Sequence, residues 1–372
     1  MTRDVLVIGG GLAGGAAALR LARAGRDVLL LERTPGPHDK VCGEFLSYEA
    51  QDELRDLGLD PRALGAVPIR LAGVEGPRAR CATPLPFEAL SLSRRVLDET
   101  LLARAAREGA EVRRGARATL VERDGSSWAI RVDGGTTLAA REVILATGKH
   151  DLRGQRRPPG RQPDLLGFKM YWTLAEPRDL PGRVELHLFS GGYAGLQMVE
   201  GRRANLCLVV RQSAFTAMGG TWEALLARLL EAAPALGVRL AGAEPSLAKP
   251  LAISAIPYGL VQERSEGLWR LGDQAAVIPS FTGEGMSIAL HSARKAAEGL
   301  VAGEVAETFQ RRLASELRGQ VRRSTLISRS LVTPWAQAAI VPLLTPSVLR
   351  WILHRTRIPE SARGWPVALE QP

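Results

Sequence analysis

The chain has 372 residues, more than one ordinary domain holds, and 45% of them are apolar, so it can bury a substantial core and is not organised by disorder. Its three cysteines, Cys42, Cys81 and Cys207, are widely spaced without a CxxC pair, which argues against a disulfide framework or a zinc site and for a reducing compartment. The net charge of +10 is concentrated between Arg311 and Arg357, where nine arginines face one acid, Glu316, but no recognised nucleic-acid motif accompanies it.

The apolar run Val5 to Ile8 predicts a strand. No charged and apolar leader precedes it, so the expected location is cytoplasmic. Gly9-x-Gly11-x-x-Gly14 follows and opens an alanine-rich helix from Leu12 and Ala13 to Ala24, and Asp27 to Leu31 predicts a second strand closed by Glu32. This spacing turns a strand sharply into a helix whose unpaired N–H groups and dipole receive a pyrophosphate. Gly9 permits the turn, Gly11 lets phosphate approach the backbone, and Gly14 lets helix and strand touch. Glu32 can accept both ribose hydroxyl hydrogens.

A loop from Thr34 to Gly43 comes next, a candidate cofactor contact, then a helical segment from Ser47 to Leu57. Ser93 precedes a helix carrying Val96, Leu97, Leu101, Leu102 and Ala105, closed by Gly109 and followed by a strand near Val112. The period then changes to two: Ala118 to Val121, Trp128 to Val132 and Glu142 to Leu145 predict a small sheet inserted into the nucleotide fold. A basic, proline-rich linker, Arg153 to Pro163, marks the expected domain border. Four strands beyond it, Phe168 to Leu174, Val184 to Phe189, Ala194 to Val199 and Ala204 to Val210, predict an antiparallel sheet. A helix from Trp222 to Ala232, strands near Ile253 and Trp269, and a helical region from Glu284 onward complete the pattern.

The stretch from Leu268 through Gly272, Asp273, Pro279, Gly283, Glu284, Gly285 and Met286 again reads strand, turn, helix. An Asp at a strand end can accept hydrogen bonds from a polyol. Backbone N–H groups at the helix start suit an electron-rich ring edge, such as that of a reduced flavin.

Together these residues resemble the FAD-dependent oxidoreductases of the p-hydroxybenzoate hydroxylase fold, and within them the geranylgeranyl reductase-related group. The matching elements are Gly9-x-Gly11-x-x-Gly14 with Glu32-Arg33, Lys40 to Ser47 around Cys42-Gly43, Ser93-Arg94-x-x-Leu97-Asp98, Ala146-Thr147-Gly148, and Gly272-Asp273 with Pro279 and Gly283-Glu284-Gly285. In order, they span roughly residues 4 to 300. The resemblance implies an α/β fold: a Rossmann-type FAD-binding domain over 1–160 and 246–300, interleaved with an antiparallel substrate sheet over 161–245, and a helical basic C-terminus over 301–372. It places Gly11, Gly14 and Glu32 on the ADP half of FAD, Arg94 along the cofactor, Thr147 and Gly148 near adenosine, Asp273 at the ribityl chain or pyrophosphate, and Gly283 and Gly285 at the ring edge. Cys42 is a candidate catalytic residue facing the flavin, or a small packed residue in a cofactor-facing loop. The second nucleotide motif of the family, DGxxSxxR, is not intact at Gly148 to Gly154, which leaves the docking of NAD(P)H, the expected reductant, unassigned.

Tyr171, His187 and Tyr193 are the candidate contacts to a small lipophilic substrate. Three functions remain open: an NAD(P)H-dependent monooxygenase hydroxylating a lipophilic aromatic or polyketide-like substrate, which is the leading expectation; a flavin-dependent double-bond reductase; and a non-catalytic binding protein. A halogenase is disfavoured because no WxWxIP element is present. The uncharged run Ser330 to Leu349 contains Trp335 but is broken by Pro334, Pro342 and Pro346, which argues against a transmembrane helix. Its basic flanks suit peripheral contact with anionic lipid or a cap over an apolar channel; the alternative is an arginine-rich solvated face over core helices.

Overall fold

The computed structural model describes residues 2–76 and 80–363. The chain begins β1 (Thr2–Ile8), α1 (Leu12–Arg23), β2 (Val28–Glu32), β3 (Phe45–Leu46), α2 (Tyr48–Asp56), β4 (Val67–Glu75), β5 (Arg80–Ser91) and α3 (Arg94–Arg107). It continues β6 (Glu111–Arg114), β7 (Ala118–Asp124), β8 (Ser127–Val132), β9 (Thr137–Leu145), β10 (Leu165–Thr173), β11 (Gly182–Phe189), β12 (Gly192–Val199) and β13 (Arg203–Arg211). Then come α4 (Gln212–Ala217), α5 (Trp222–Ala232), α6 (Pro234–Leu240), β14 (Glu244–Pro245), β15 (Leu251–Ile253) and β16 (Trp269–Arg270). The described chain closes with α7 (Gly285–Val301), α8 (Ala306–Leu331), α9 (Pro334–Ile340), α10 (Pro346–Arg355) and α11 (Glu360–Arg363). Residues 364–372 of the expected helical C-terminus lie outside the described residues.

The first sheet runs β6-β2-β1-β9-β8-β7, with β16 also on β9. Its pairings β2–β6, β1–β2, β1–β9 and β9–β16 are parallel, and β7, β8 and β9 form an antiparallel meander. Alternate residues of β1 divide between two cores: Val5 and Val7 pack with the helices, Leu6 and Ile8 with Val121, Trp128 and Ile130. A strand covered on both faces reads as a continuous apolar run, and this one does. The alanine-rich composition of α1 lets it sit between α3 and α7 with Ala16, Ala17 and Ala18 fully buried.

The second sheet runs β14-β10-β13-β12-β11-β4-β5-β3, with β15 also on β10. The four expected strands form its antiparallel centre. The expected boundary needs correction here, because β3, β4 and β5 come from within residues 1–160 and β15 from within 246–300, yet all pair in this sheet; β4 joins β11 in parallel. Pro84 and Pro86 hid β5 from the sequence pattern, and the β4–β5 register slips between Ile69 and Leu71 to accommodate the irregularity. Helices α5 and α6 cover one face of this sheet through Leu225, Leu229, Leu236 and Leu240. The other face turns toward the first sheet, leaving a cavity of about 870 Å³ between them.

Candidate functional site

Both glycine-lined turns open on that one cavity. At the first, Gly9 has φ +109°, and a side chain there would meet the Ala146 carbonyl oxygen at 2.4 Å. A Cβ on Gly14 would lie 1.9 Å from the Gly9 oxygen, so strand and helix touch as the spacing requires. Gly11 differs: the nearest atoms to its missing Cβ are Arg94 Nη2 at 3.1 Å and Lys40 Nζ at 3.5 Å, two cations rather than backbone. Helix α1 starts there with no side-chain cap and no acid in its first turn, so its orphan N–H donors face the cavity beside those cations. The arrangement fits an anionic pyrophosphate.

Asp98, one turn after Arg94, holds both cations, accepting from Lys40 Nζ at 2.8 Å and from Arg94 Nε at 2.8 Å. Burial alone would raise its carboxyl, but Arg94 and Lys40 outweigh burial and keep it below the usual carboxylate range. Glu32 accepts from the Gly10 N–H (2.7 Å) and the Thr34 N–H (2.9 Å), and these bonds likewise overcome burial to lower its pKa. Each of its oxygens keeps a lone pair for a ribose hydroxyl. Arg33, Leu12 and Ala13 line the same end.

The turn after β9 and the turn after β16 are tied together. Lys149 Nζ lies 3.1 Å from Asp273 Oδ2, and Gln274 Nε2 donates to the Gly148 oxygen at 2.8 Å. Thr147, Gly148 and Asp273 all line the cavity. Pro279 does not; it starts the short turn Ser280–Thr282 that leads into Gly283. Gly283 has φ +71° with the Phe45 ring where a Cβ would be, at 2.5 Å, whereas the space beside Gly285 is open. Helix α7 begins there, again without a side-chain cap or an acid in its first turn, and Met286 lines the wall.

Cys42 and Gly43 lie on the cavity wall between these ends. Their loop is held from behind: Asn205 Nδ2 donates to the Cys42 and Gly43 oxygens at 3.0 and 3.1 Å, and the Glu44 N–H donates to Cys42 Sγ at 3.3 Å. Glu44 is fully buried with φ +60°. Its carboxylate receives Lys169 Nζ at 2.6 Å, the Tyr171 hydroxyl at 2.7 Å, Asn205 Nδ2 at 3.0 Å and the Arg94 N–H at 2.8 Å.

Two expected substrate contacts are therefore corrected. Tyr171 does not line the cavity, because the Cys42–Glu44 loop covers it and its hydroxyl is spent on Glu44. His187 is on the wrong face of β11: Val184 and Leu186 line the cavity, and the strand period of two sends His187 to Glu185, at 3.4 Å, beneath α6. Tyr193 is in the cavity, its hydroxyl 3.1 Å from Ser280 Oγ. The sequence pattern missed Tyr258, whose hydroxyl accepts from the Ser280 N–H at 3.0 Å, and Cys207, both on the cavity wall. Burial pushes the Cys207 thiol up to about 12. Asn205, Cys207 and Val209 alternate along β13, and a polar residue inside that apolar strand was the available signal.

Comparison with known proteins agrees with this geometry. Residues 2–158 match the family described as FAD binding domain. Over 82% of its length the chain is 31% identical to digeranylgeranylglycerophospholipid reductase 2 of Methanopyrus kandleri, covering 77% of that protein. A menaquinone reductase of Mycolicibacterium smegmatis is 29% identical over 82% of this chain and 78% of its own. In structure, the myxobacterial chondrochloren halogenase CndH superposes with a TM-score of 0.76 at 21% identity over 95% of this chain and 90% of that one. The halogenase PltM, solved in complex with phloroglucinol and FAD, gives 0.75 at 17% identity over 89% and 77%. At such identities the halogenases share the fold. The chain belongs to the geranylgeranyl reductase family of FAD-dependent oxidoreductases with the p-hydroxybenzoate hydroxylase fold. It is an FAD-dependent oxidoreductase, which sets aside the non-catalytic alternative.

Proposed function

We propose that the protein saturates carbon–carbon double bonds in the polyprenyl chain of a lipid, with electrons drawn from NAD(P)H. The carrying observation is the part of the cavity beyond the Gly283–Gly285 turn, walled by Ala72, Val74, Leu85, Leu186, Leu349 and Leu353. A long hydrocarbon finds continuous apolar contact there. The names of the relatives, a menaquinone reductase and a digeranylgeranylglycerophospholipid reductase, support the same reading.

Bound FAD supplies a hydride donor. The start of α1 with Arg94 and Lys40 suits its pyrophosphate, Glu32 its adenosine ribose, Asp273 its ribityl chain, and the start of α7 its ring edge. Saturation also needs a proton for the second carbon, and Cys42 Sγ is assigned as its donor. Cys42 and Arg94 line the same cavity, and Asp98 holds the Arg94 guanidinium in place there. Arg33, Arg117, Lys149 and Arg157 border a smaller cleft of about 420 Å³ that suits the phosphates of NAD(P)H. Burial, and then Arg33, Lys149 and Arg157, push the His150 imidazole below its usual range.

The Tyr193–Ser280–Tyr258 group favours a second reading, in which these hydroxyls orient a phenol for hydroxylation. Anaerobic incubation of the FAD-loaded protein with NAD(P)H and a geranylgeranyl lipid separates the two by mass spectrometry. The reductase reading expects two hydrogens gained per double bond without oxygen. Product formed only in air, and carrying an oxygen atom, replaces it with the second reading, and no product from a reducible flavin overturns both.

A further inference from the structure

The cavity wall made by α10 is one helix thick. Leu349, Ile352, Leu353 and Thr356 line the cavity, while Val348, Arg350, Trp351 and Arg355 on the same stretch are exposed. Nine large hydrophobic residues are exposed among the described residues, and six of them fall between Leu326 and Trp351, including Trp335 at 77%, Leu343 at 71% and Trp351 at 55%. This is not loose chain. Gln337 Nε2 on α9 donates to the Phe189 and Gly192 oxygens at 2.9 and 3.1 Å, tying α9 to the β11–β12 hairpin. Beyond α10, Arg357 is buried against Glu49 and lies 3.2 Å from Glu284 at the start of α7. An apolar surface is thus held outward by polar anchors on both sides.

The charge around it has one sign. Between Glu316 and Glu360 the chain contains no acidic residue. Of the arginines, Arg312, Arg318 and Arg357 are used internally, on Glu304, Glu263 and Glu49. Arg322, Arg323, Arg329, Arg350 and Arg355 are exposed, and among the described residues none has a carboxylate within ion-pair distance. Tryptophan and aliphatic side chains beside arginines match the boundary between acyl chains and anionic headgroups. A second copy of this face would set arginine against arginine, so self-association through it is opposed by charge.

We propose that the outer surface of α8 through α10 docks on an anionic lipid bilayer and sets the α10 wall of the cavity against the acyl layer, so that a polyprenyl chain passes from membrane to site without crossing water. This rests on the polyprenyl-reductase reading for the cargo, but not for the docking. Among the described residues no helix is long and apolar enough to cross a membrane, so the contact is peripheral.

The test is co-sedimentation of the full-length FAD-loaded protein with vesicles of phosphatidylcholine containing phosphatidylglycerol, and with phosphatidylcholine alone. Binding is expected to the anionic vesicles and to fall at high salt. Trp335→Ser with Trp351→Ser, and separately Arg322→Gln with Arg350→Gln, each weaken it by about tenfold or more. Turnover of a short, water-dispersed prenyl substrate is unchanged in both. Native protein that stays in the supernatant at low salt, or variants that sediment like the native, overturn the proposal. So does a dimer or an acidic protein complex that the tryptophan substitutions dissolve while vesicle binding is absent. Vesicle binding without reduction of any prenyl substrate leaves docking standing and removes the reductase reading instead.

Discussion

The two ends of the cavity are walled by different chemistry. Its cofactor end is made largely of backbone: glycines, orphan N–H groups and the starts of α1 and α7, with a few charges placed behind them. Its lipophilic end is made of side chains that reach it from β4, β5, β11, β12 and α10, elements distant in sequence. Backbone sites depend on one local geometry and fail abruptly. Side-chain sites are sums of many contacts and degrade by degrees.

The sharpest way to break this contrast is Gly14→Val. Its Cβ would sit 1.9 Å from the Gly9 oxygen, where neither helix nor strand can yield. The expected outcome is no soluble yellow protein, read by flavin absorbance after purification. Gly11→Val is the partner experiment, because its Cβ meets side-chain ends, Arg94 and Lys40 first, rather than backbone. That variant folds with a near-native melting temperature yet loses FAD affinity by on the order of a hundredfold, about 3 kcal/mol. A yellow Gly11→Val protein would remove the pyrophosphate from that turn.

Next in size is the buried support behind the Cys42 loop. Lys169→Met leaves the Glu44 carboxylate in the interior without its cation, at a cost of about 3–5 kcal/mol in denaturant unfolding. Pairing it with Glu44→Gln recovers part of that loss, since the stranded charge goes too. Lys169→Met with unchanged stability would mean that the other donors around Glu44 suffice.

This support also marks where sequence legibility ended. The glycine turns, Glu32, Asp273 and the strands of the second sheet's centre were readable because spacing and period are local properties of the chain. Glu44, Lys169 and Asn205 come from three separate strands and loops, and nothing local announces that they meet. Tyr171 and His187 were readable as strand residues but not as to side: a covering loop removes one and the alternation along β11 the other. The tie between Arg357 and Glu49 spans most of the chain and is likewise a tertiary fact.

A smaller effect separates chemistry from binding at the border of the two ends. Cys42→Ala keeps FAD, because the loop is held through backbone oxygens by Asn205, but lowers turnover by about tenfold to a hundredfold if the thiol gives the proton. Single-turnover flavin reoxidation by substrate checks this, and Cys42→Ser recovers part of the rate. Equal rates in Cys42→Ala and native protein would move the proton to water or to Tyr193.

The least effect belongs to the outer face of the second sheet, far from either end. Burial pushes the Glu185 carboxyl up, but His187 and Arg239 outweigh it and bring it down to about 2; Arg239 reaches it at 2.6 Å. A carboxyl depressed in the folded state contributes stability that is present above its ordinary value near 4.5 and is lost as pH falls toward 2. Partial solvent access near Arg239 limits the contribution to about 2 kcal/mol. Native protein should therefore lose stability between about pH 5 and 2, and Glu185→Gln should flatten that part of the curve while leaving FAD affinity at neutral pH unchanged. A change in FAD binding on Glu185→Gln would mean that the two faces of this sheet are coupled, and that the substrate end transmits strain from a surface it does not touch.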